Sequence, residues 1–325
     1  MCTHSIKGTG LVTSGHRLLL FVMPELPAVE FTRNLIEDNC KNKIINFTDF
    51  FGEPDELIFN EKAAEFVKND LKGKKVKQVG RWGKQLWITF ESNKNVPIPV
   101  LLIHLGMTGF VQFKGTDRLL YESSPSNSKK GNEMLSLSSA WPPKFVKFIF
   151  GFDDGAEMAF CDARRFGKIN YLSISADSDI KTNDFISQKL GLGFDPLIAM
   201  PSSTEFINLL TSEMKRRINM KTLLMKQTFV AGVGNWMADD ILFLAGILPQ
   251  RPVSSLNEKE ILKFHKAIQE ITSITVGADA NKAKFPKEWL FHIRWQHGTE
   301  TLTGLKVLND KIGGRTTFWV PELQN

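Results

Sequence analysis

Cysteine is scarce in this chain. Of 325 residues only Cys2, Cys40 and Cys161 carry a thiol. An odd number at wide spacing argues against a disulfide framework and a cysteine-based zinc site, and fits a reduced compartment. Long apolar runs are lacking too: the longest candidate, Leu18 to Met23, falls far short of the ~20 residues that span a bilayer. The stretch Met1 to Val22 has no acidic residue, carries Lys7 and Arg17, and is rich in Ser, Thr and Gly. With no clear amphipathic period it reads as a disordered tail or a wrongly chosen start, ahead of an organelle targeting segment.

What is present is ordinary for a soluble globular protein, at 42% hydrophobic and 23% charged residues. The length allows a substantial core and two or more domains. The 41 Lys and Arg against 35 Asp and Glu leave a net charge of +6. That suits a polyanion partner without requiring one.

The pattern along the chain predicts a helix from Pro24 to about Asn42. Proline suits its first turn, Glu25 and Glu30 suit its positive end, and Leu26, Val29 and Ile36 share a face. A β-rich region follows, with strands at Lys84–Phe90 and Val100–Leu105, and with Phe145–Phe152 and Met158–Phe160 around an Asp153-Asp154-Gly155 turn. Ser123 to Ser139 reads as a mobile Ser/Asn/Lys-rich insertion. Composition shifts at Gly191–Pro201, a linker, and helices are expected at Thr204–Leu210, Leu223–Phe229, Met237–Gly246 and Glu258–Val276. After Phe285 the pattern is short and irregular until Arg315–Val320, a strand of a terminal hairpin. The fold class is α+β. The expected divisions are an extension over 1–23, a catalytic β-sandwich domain over 24–190, a helical domain over 195–290 and a finger hairpin over 291–325.

Several short motifs could carry chemistry. In Met23-Pro24-Glu25-Leu26-Pro27, Pro24 becomes a free secondary amine if the chain is cut after Met23, and such an amine can attack an electrophilic sugar carbon to give an iminium. Inside a polypeptide the same nitrogen is an inert amide. Ala231-Gly232-Val233-Gly234-Asn235 lies between two predicted helices, not after a strand, so it is no dinucleotide fingerprint. It is equally a phosphate cradle at a helix start or a tight interhelical turn. His104-Leu105-Gly106-Met107-Thr108-Gly109 follows a buried strand, with Met107 on a loop. Asp162-Ala163-Arg164-Arg165-Phe166-Gly167 sets cations beside an apolar wedge, as DNA-kinking proteins do. Arg81-Trp82-Gly83-Lys84 sets another cation beside an aromatic. Lys215-Arg216-Arg217 and Lys221 supply charges that phosphate tracking would need.

Taken in order, these motifs and Gly313-Gly314-Arg315-Thr316-Thr317-Phe318 resemble the formamidopyrimidine-DNA glycosylase family over essentially everything after the extension. The resemblance implies a helix–two-turn–helix protein that excises oxidised purines from damaged double-stranded DNA and then cleaves the abasic site. It implies Pro24 as nucleophile, Glu25 as general acid/base and Lys84 as a phosphate holder near the lesion. Met107, Arg164 and Phe166 would fill the gap left by the extruded nucleotide, and Asn235 and Arg315 would grip phosphates. It implies a monomer without cofactor, working in the nucleus or the mitochondrion, whose mature form begins at Pro24. Two relatives in function stay open: an endonuclease VIII-like enzyme for oxidised pyrimidines, and a non-catalytic lesion binder if the extension is retained. An unrelated phosphate-binding protein is the remaining reading.

The chain departs from the family pattern in places. Gly313 to Gln324 has none of the four zinc-binding cysteines of bacterial members, like the zincless finger of plant and fungal ones. Ala28 stands where the family usually has Glu. Phe285-Pro286-Lys287-Glu288-Trp289 replaces the segment that caps oxidised guanine in bacterial members. That replacement implies a preference for formamidopyrimidines and hydantoins over 8-oxoguanine.

Overall fold

A computed structural model describes residues 24–116, 141–176, 181–215, 217–296 and 298–325, without the side chains of 295 and 296. The extension, the Ser123–Ser139 insertion and Arg216 lie outside the described residues. In chain order the elements are α1 (Leu26–Cys40), β1 (Ile45–Asp49), α2 (Glu61–Glu65), β2 (Val76–Trp82), β3 (Gln85–Phe90), β4 (Ile98–His104), β5 (Gly109–Phe113), β6 (Val146–Phe152), β7 (Glu157–Asp162) and β8 (Lys168–Ile174). Then follow α3 (Thr182–Lys189), α4 (Ser203–Met214), α5 (Met220–Met225), α6 (Asn235–Ala245), α7 (Glu258–Gly277), α8 (Leu290–Gln296), β9 (Leu308–Ile312) and β10 (Arg315–Trp319).

The strands before α3 form two antiparallel four-stranded sheets, ordered β1-β6-β7-β5 and β2-β3-β4-β8. Period-two alternation builds the layer between them. Leu86, Ile88 and Phe90 of β3 point inward with Leu101 and Ile103 of β4, against Phe148, Phe150, Phe152 and Phe160 of the other sheet. The outer face of β3 and β4 is apolar as well. Trp87, Val100 and Leu102 are covered by Ile186 of α3, and the Trp87 indole donates to Asn183 at 3.1 Å. Burial on both faces explains why these strands read as near-continuous hydrophobic runs.

The helical half has its own core, in which Phe206, Leu223, Val233, Ile241, Phe264 and Ile268 pack together. Its helices are bounded by local signals. Ser202 with Glu205 and Asn257 with Glu260 form capping boxes at the starts of α4 and α7, each contributing about 1 kcal/mol. Gly246 (φ +70°) ends α6 in the left-handed conformation.

Two expectations are corrected here. The helix foreseen through Phe229 stops at Met225, because Lys226 turns extended (φ −76°, ψ 108°) to begin the turn that enters α6. The stretch past Phe285 is not irregular throughout, since it contains α8. That helix was hidden because its seven residues are too few to show a period, and Phe291 is buried against Trp236 and Phe285.

The two halves are joined at α1 and at the presumed linker. Leu26, the first residue of α1, is fully buried in the helical core, while Val29 and Ile36 face the sandwich. Asp195 is fully buried and accepts the amide protons of Gly83 (2.7 Å), Leu197 (2.9 Å) and Ile198 (3.2 Å). Its partner Arg81, also fully buried, bonds both Asp195 and Glu30 of α1, the latter at 2.7 Å. Residues 191–201 are therefore pinned rather than loose. Arg81, foreseen as a cation beside an aromatic, is a clasp between the halves and cannot meet DNA.

Candidate active site

Pro24 is buried where the chain enters α1. Its neighbour Glu25 is 2% exposed and occupies the N-cap of α1, but its carboxylate does not cap that helix. It reaches instead to the start of α6. There Oε2 accepts the amide protons of Gly234 (2.9 Å) and Met237 (3.2 Å), and Oε1 accepts that of Trp236 (3.2 Å). Three orphan donors of a helix N-terminus and its positive dipole end are thus satisfied by one carboxylate. Of the two readings of Gly232–Asn235, the interhelical turn is the one observed, and its amides are taken from within the protein.

Glycine is required at this contact. A Cβ on Gly234 would lie 2.3 Å from Glu25 Cδ, and one on Gly232 (φ +98°) would meet the Leu26 side chain at 2.8 Å. The Leu26 amide donates to the Gly232 carbonyl at 3.1 Å, which completes the seam. The spacing of the Gly-Val-Gly segment therefore matches the approach of α1, residue for residue.

Burial pushes the Glu25 carboxyl above the ordinary carboxylate range, against the opposing pull of the Lys84 ammonium and the α6 amides. Lys84, half-buried in the two-residue turn between β2 and β3, is itself pushed down by burial and by the nearby Arg315 cation. A carboxyl with a raised pKa beside an amine with a lowered one is the environment in which acid and base roles can alternate.

Lys221 is corrected. It is fully buried in α5, with its Nζ donating to the Asn235 carbonyl (2.6 Å) and to Asp239, so it tracks no phosphate. Burial and the neighbouring Arg294 lower it to about 7. Lys215 and Arg217 do stand exposed before α5. Asp240 on α6 is pushed up to about 8 by burial, with one oxygen taken by the Phe291 amide at 3.2 Å.

On the sandwich, two loops meet. Met107, half-buried, sits in the turn between β4 and β5, and residues 163–167 join β7 to β8. A Cβ on Gly106 would lie 2.5 Å from the backbone of Phe166 and Gly167, so the loops touch chain to chain. Asp162 organises them. It accepts the Gly167 amide (2.7 Å), the Arg164 amide (3.1 Å) and the Thr108 hydroxyl. Arg165 adopts a left-handed conformation (φ +58°) and turns to Asp55, bonding it at 2.8 and 2.9 Å. That leaves Arg164 stacked on the exposed Phe166 ring, 4.9 Å from its centroid. Met107, Arg164 and Phe166 therefore lie on adjoining loops. Asp162 and Thr108 lie within the motifs, but their holding roles, like those of Asp55 and Asp195, escaped sequence reading because polar contacts remote in sequence carry no periodic signal.

The terminal hairpin completes the cluster. Gly313 (φ +57°) and Gly314 (φ +76°) form a two-residue turn, with Ile312 paired to Arg315. Arg315 is exposed at its tip. Asn235 donates its side-chain amide to the Thr316 carbonyl at 3.0 Å, so it ties α6 to the hairpin. Among the described residues no group of three or more His, Cys, Asp or Glu is placed to hold a metal.

Two family models match the chain: the formamidopyrimidine-DNA glycosylase N-terminal domain over residues 23–169 and its H2TH domain over 192–286. The chain belongs to the formamidopyrimidine-DNA glycosylase family. A formamidopyrimidine-DNA glycosylase of Arabidopsis thaliana is 34% identical over 303 residues, 93% of this chain and 71% of that relative. Two solved structures of Lactococcus lactis FPG share the fold. One is a complex with FAPY-dG containing DNA (TM-score 0.67, 20% identity, 93% of this chain and 100% of that one). The other is a complex with an oxidized pyrimidine containing DNA (TM-score 0.68, 21% identity, 93% and 100%). Within this family chain, Glu25 sits at the start of α6, on the seam between the halves.

Proposed function

We propose that this protein is a bifunctional DNA glycosylase and abasic-site lyase for oxidised purines. The observation that carries the reading is the Glu25 carboxyl, buried beside Pro24 and raised in pKa while three amides of α6 hold it still. An α-amine such as that of an N-terminal Pro24 has a pKa near ~8, so part of it is neutral at physiological pH. Its lone pair attacks C1′ of the damaged nucleotide, and the base leaves with the C1′–N bond pair and takes up the proton that the Pro24 nitrogen loses. Glu25 delivers a proton to the ring oxygen as the sugar opens, which leaves an iminium between Pro24 and C1′. The iminium acidifies the C2′ protons. Loss of one expels the 3′-phosphate, and a second elimination expels the 5′-phosphate. Lys84 and Arg315 hold phosphates, and Met107, Arg164 and Phe166 fill the space left by the flipped nucleotide.

The lesion preference is read from the segment after α7. Phe285 and Trp289 are each 3% exposed, and Phe285 stacks on Trp236 with centroids 5.8 Å apart. A segment spent on the core offers little to cap 8-oxoguanine, which favours formamidopyrimidines and hydantoins as substrates.

Borohydride reduction tests the reading. Protein beginning at Pro24, mixed with a duplex carrying a formamidopyrimidine, is expected to give a covalent protein–DNA adduct, and Glu25→Gln is expected to abolish it. The 325-residue chain with its first 23 residues attached should bind the duplex without trapping it. Absence of the adduct from the Pro24 form despite normal lesion binding would make the protein a binder. Better excision of 8-oxoguanine than of formamidopyrimidine would overturn the substrate assignment.

A further inference from the structure

The terminal hairpin has two anchors of different kinds. Its base is apolar: Val307 and Val320 are buried with Leu290 and Ile293 of α8. Its tip has no such support, because Arg315 and Thr316 are exposed. Between base and tip the outer edge of β10 faces no third strand among the described residues. An unpaired edge presents amide and carbonyl groups that need partners.

Three side chains supply them. The Phe318 amide donates to Asp239 Oδ2 at 3.0 Å. The Thr316 carbonyl accepts from Asn235 at 3.0 Å and from Arg294 at 3.3 Å. Thr316 and Phe318 are two residues apart and so present the same strand edge. Asp239, whose side chain is 1% exposed, also receives Lys221 of α5 and the Arg294 guanidinium of α8, which lies 4.6 Å over the Phe318 ring. One carboxylate therefore joins α5, α6, α8 and β10.

We propose that Asp239 is a positioning residue that locks the finger, and through it Arg315, against the catalytic seam. This rests on the glycosylase and lyase reading of the site. Asp239 does mechanically what a bound metal does in the zinc fingers of bacterial family members: it ties the hairpin to the helices through a few directional bonds at one centre. It differs in reach, since a metal closes the hairpin on itself and Asp239 closes it on α6, the helix whose start holds Glu25. Finger position and acid position are then both set by the first turn and a half of one eleven-residue helix.

The test combines amide hydrogen exchange with a double-mutant cycle on protein beginning at Pro24. Asp239→Asn keeps the shape but removes the charge and one acceptor. Exchange in β10 is expected to rise about tenfold or more while exchange in β4 stays unchanged. Affinity for a duplex carrying a reduced abasic site should fall about tenfold, and adding Arg315→Ala should weaken it less than about twofold further, because both changes remove the same grip. If Asp239→Asn fails to fold, Arg294→Lys keeps the charge, loses the Thr316 bond and the ring stack, and should give the same pattern at smaller size. Unchanged β10 exchange, or losses that multiply in the double variant, would overturn the proposal. If the unaltered protein shows no preference for the lesion duplex, the functional reading fails, and the exchange measurement still decides whether Asp239 holds the finger.

Discussion

Glu25 and Gly234 meet across 209 positions of sequence, with the carboxylate oxygen 2.9 Å from the glycine amide. Gly234 has an extended backbone (φ −126°, ψ −158°) that any residue can adopt, so what it contributes is space. A methyl group there would overlap the Glu25 Cδ and Oε1 positions at 2.3 and 2.4 Å.

Gly234→Ala is accordingly expected to drive the carboxylate off the start of α6. Leaving buried amides unpaired should lower stability by about 1–3 kcal/mol in urea unfolding. The single-turnover cleavage rate on a formamidopyrimidine duplex should fall about 100-fold or more, as for loss of a general acid. A folded Ala variant with an unchanged rate would show that Glu25 acts without its three amides.

Arg81→Met tests the clasp between the halves. It strips Asp195 and Glu30 of a shared cation where solvent cannot replace it, although Asp195 keeps its amide donors. Breaking such a buried pair from one side costs about 3–5 kcal/mol. Adding Asp195→Asn should recover part of the loss, and thermal unfolding of both variants measures it. A single variant within about 0.5 kcal/mol of the parent would remove the clasp from the account.

His104 gives a pH dependence. Burial and the nearby Lys84 ammonium push its ring down to about 4, and its Nδ1 accepts the Gly106 amide at 3.0 Å. Folding therefore favours the neutral ring, and the unfolded chain binds the extra proton between about 6.5 and about 4. The associated stability is complete above pH ~6.5 and is lost as pH falls toward 4, by about 2 kcal/mol once the ring's partial exposure is allowed for. His104→Asn, which can still accept the Gly106 amide, should flatten that acid limb. A ring titrating near its ordinary value by NMR would refute the prediction.

Elements with a repeating apolar pattern were legible in the sequence. α1, β3, β4, β6, β7 and α7 fall within a few residues of where periodicity puts them, because each buries a regular face. Short or edge elements such as β1, α2 and α8 were not, since their burial comes from partners remote in sequence. The site shows the same division. The ordered motifs singled out Pro24, Glu25, Met107, Arg164, Phe166 and Arg315, and the structure brings Glu25 to the start of α6 and Arg164 onto the Phe166 ring. The roles of Arg81 and Lys221 were misread because a cation in a sequence looks the same whether solvent or a buried carboxylate receives it. The Gly-Val-Gly-Asn turn was half-read: its outward amides were foreseen, and the carboxylate that fills them arrives from the other end of the chain.

That last arrangement imposes an order on biosynthesis. Pro24 and Glu25 emerge from the ribosome among the first residues, while the amides of Gly234, Trp236 and Met237 follow some 200 positions later. The sandwich can close on its own core meanwhile. Until the start of α6 is translated, the Glu25 carboxylate has no seat, and a truncated or stalled product lacks the three amides that hold it.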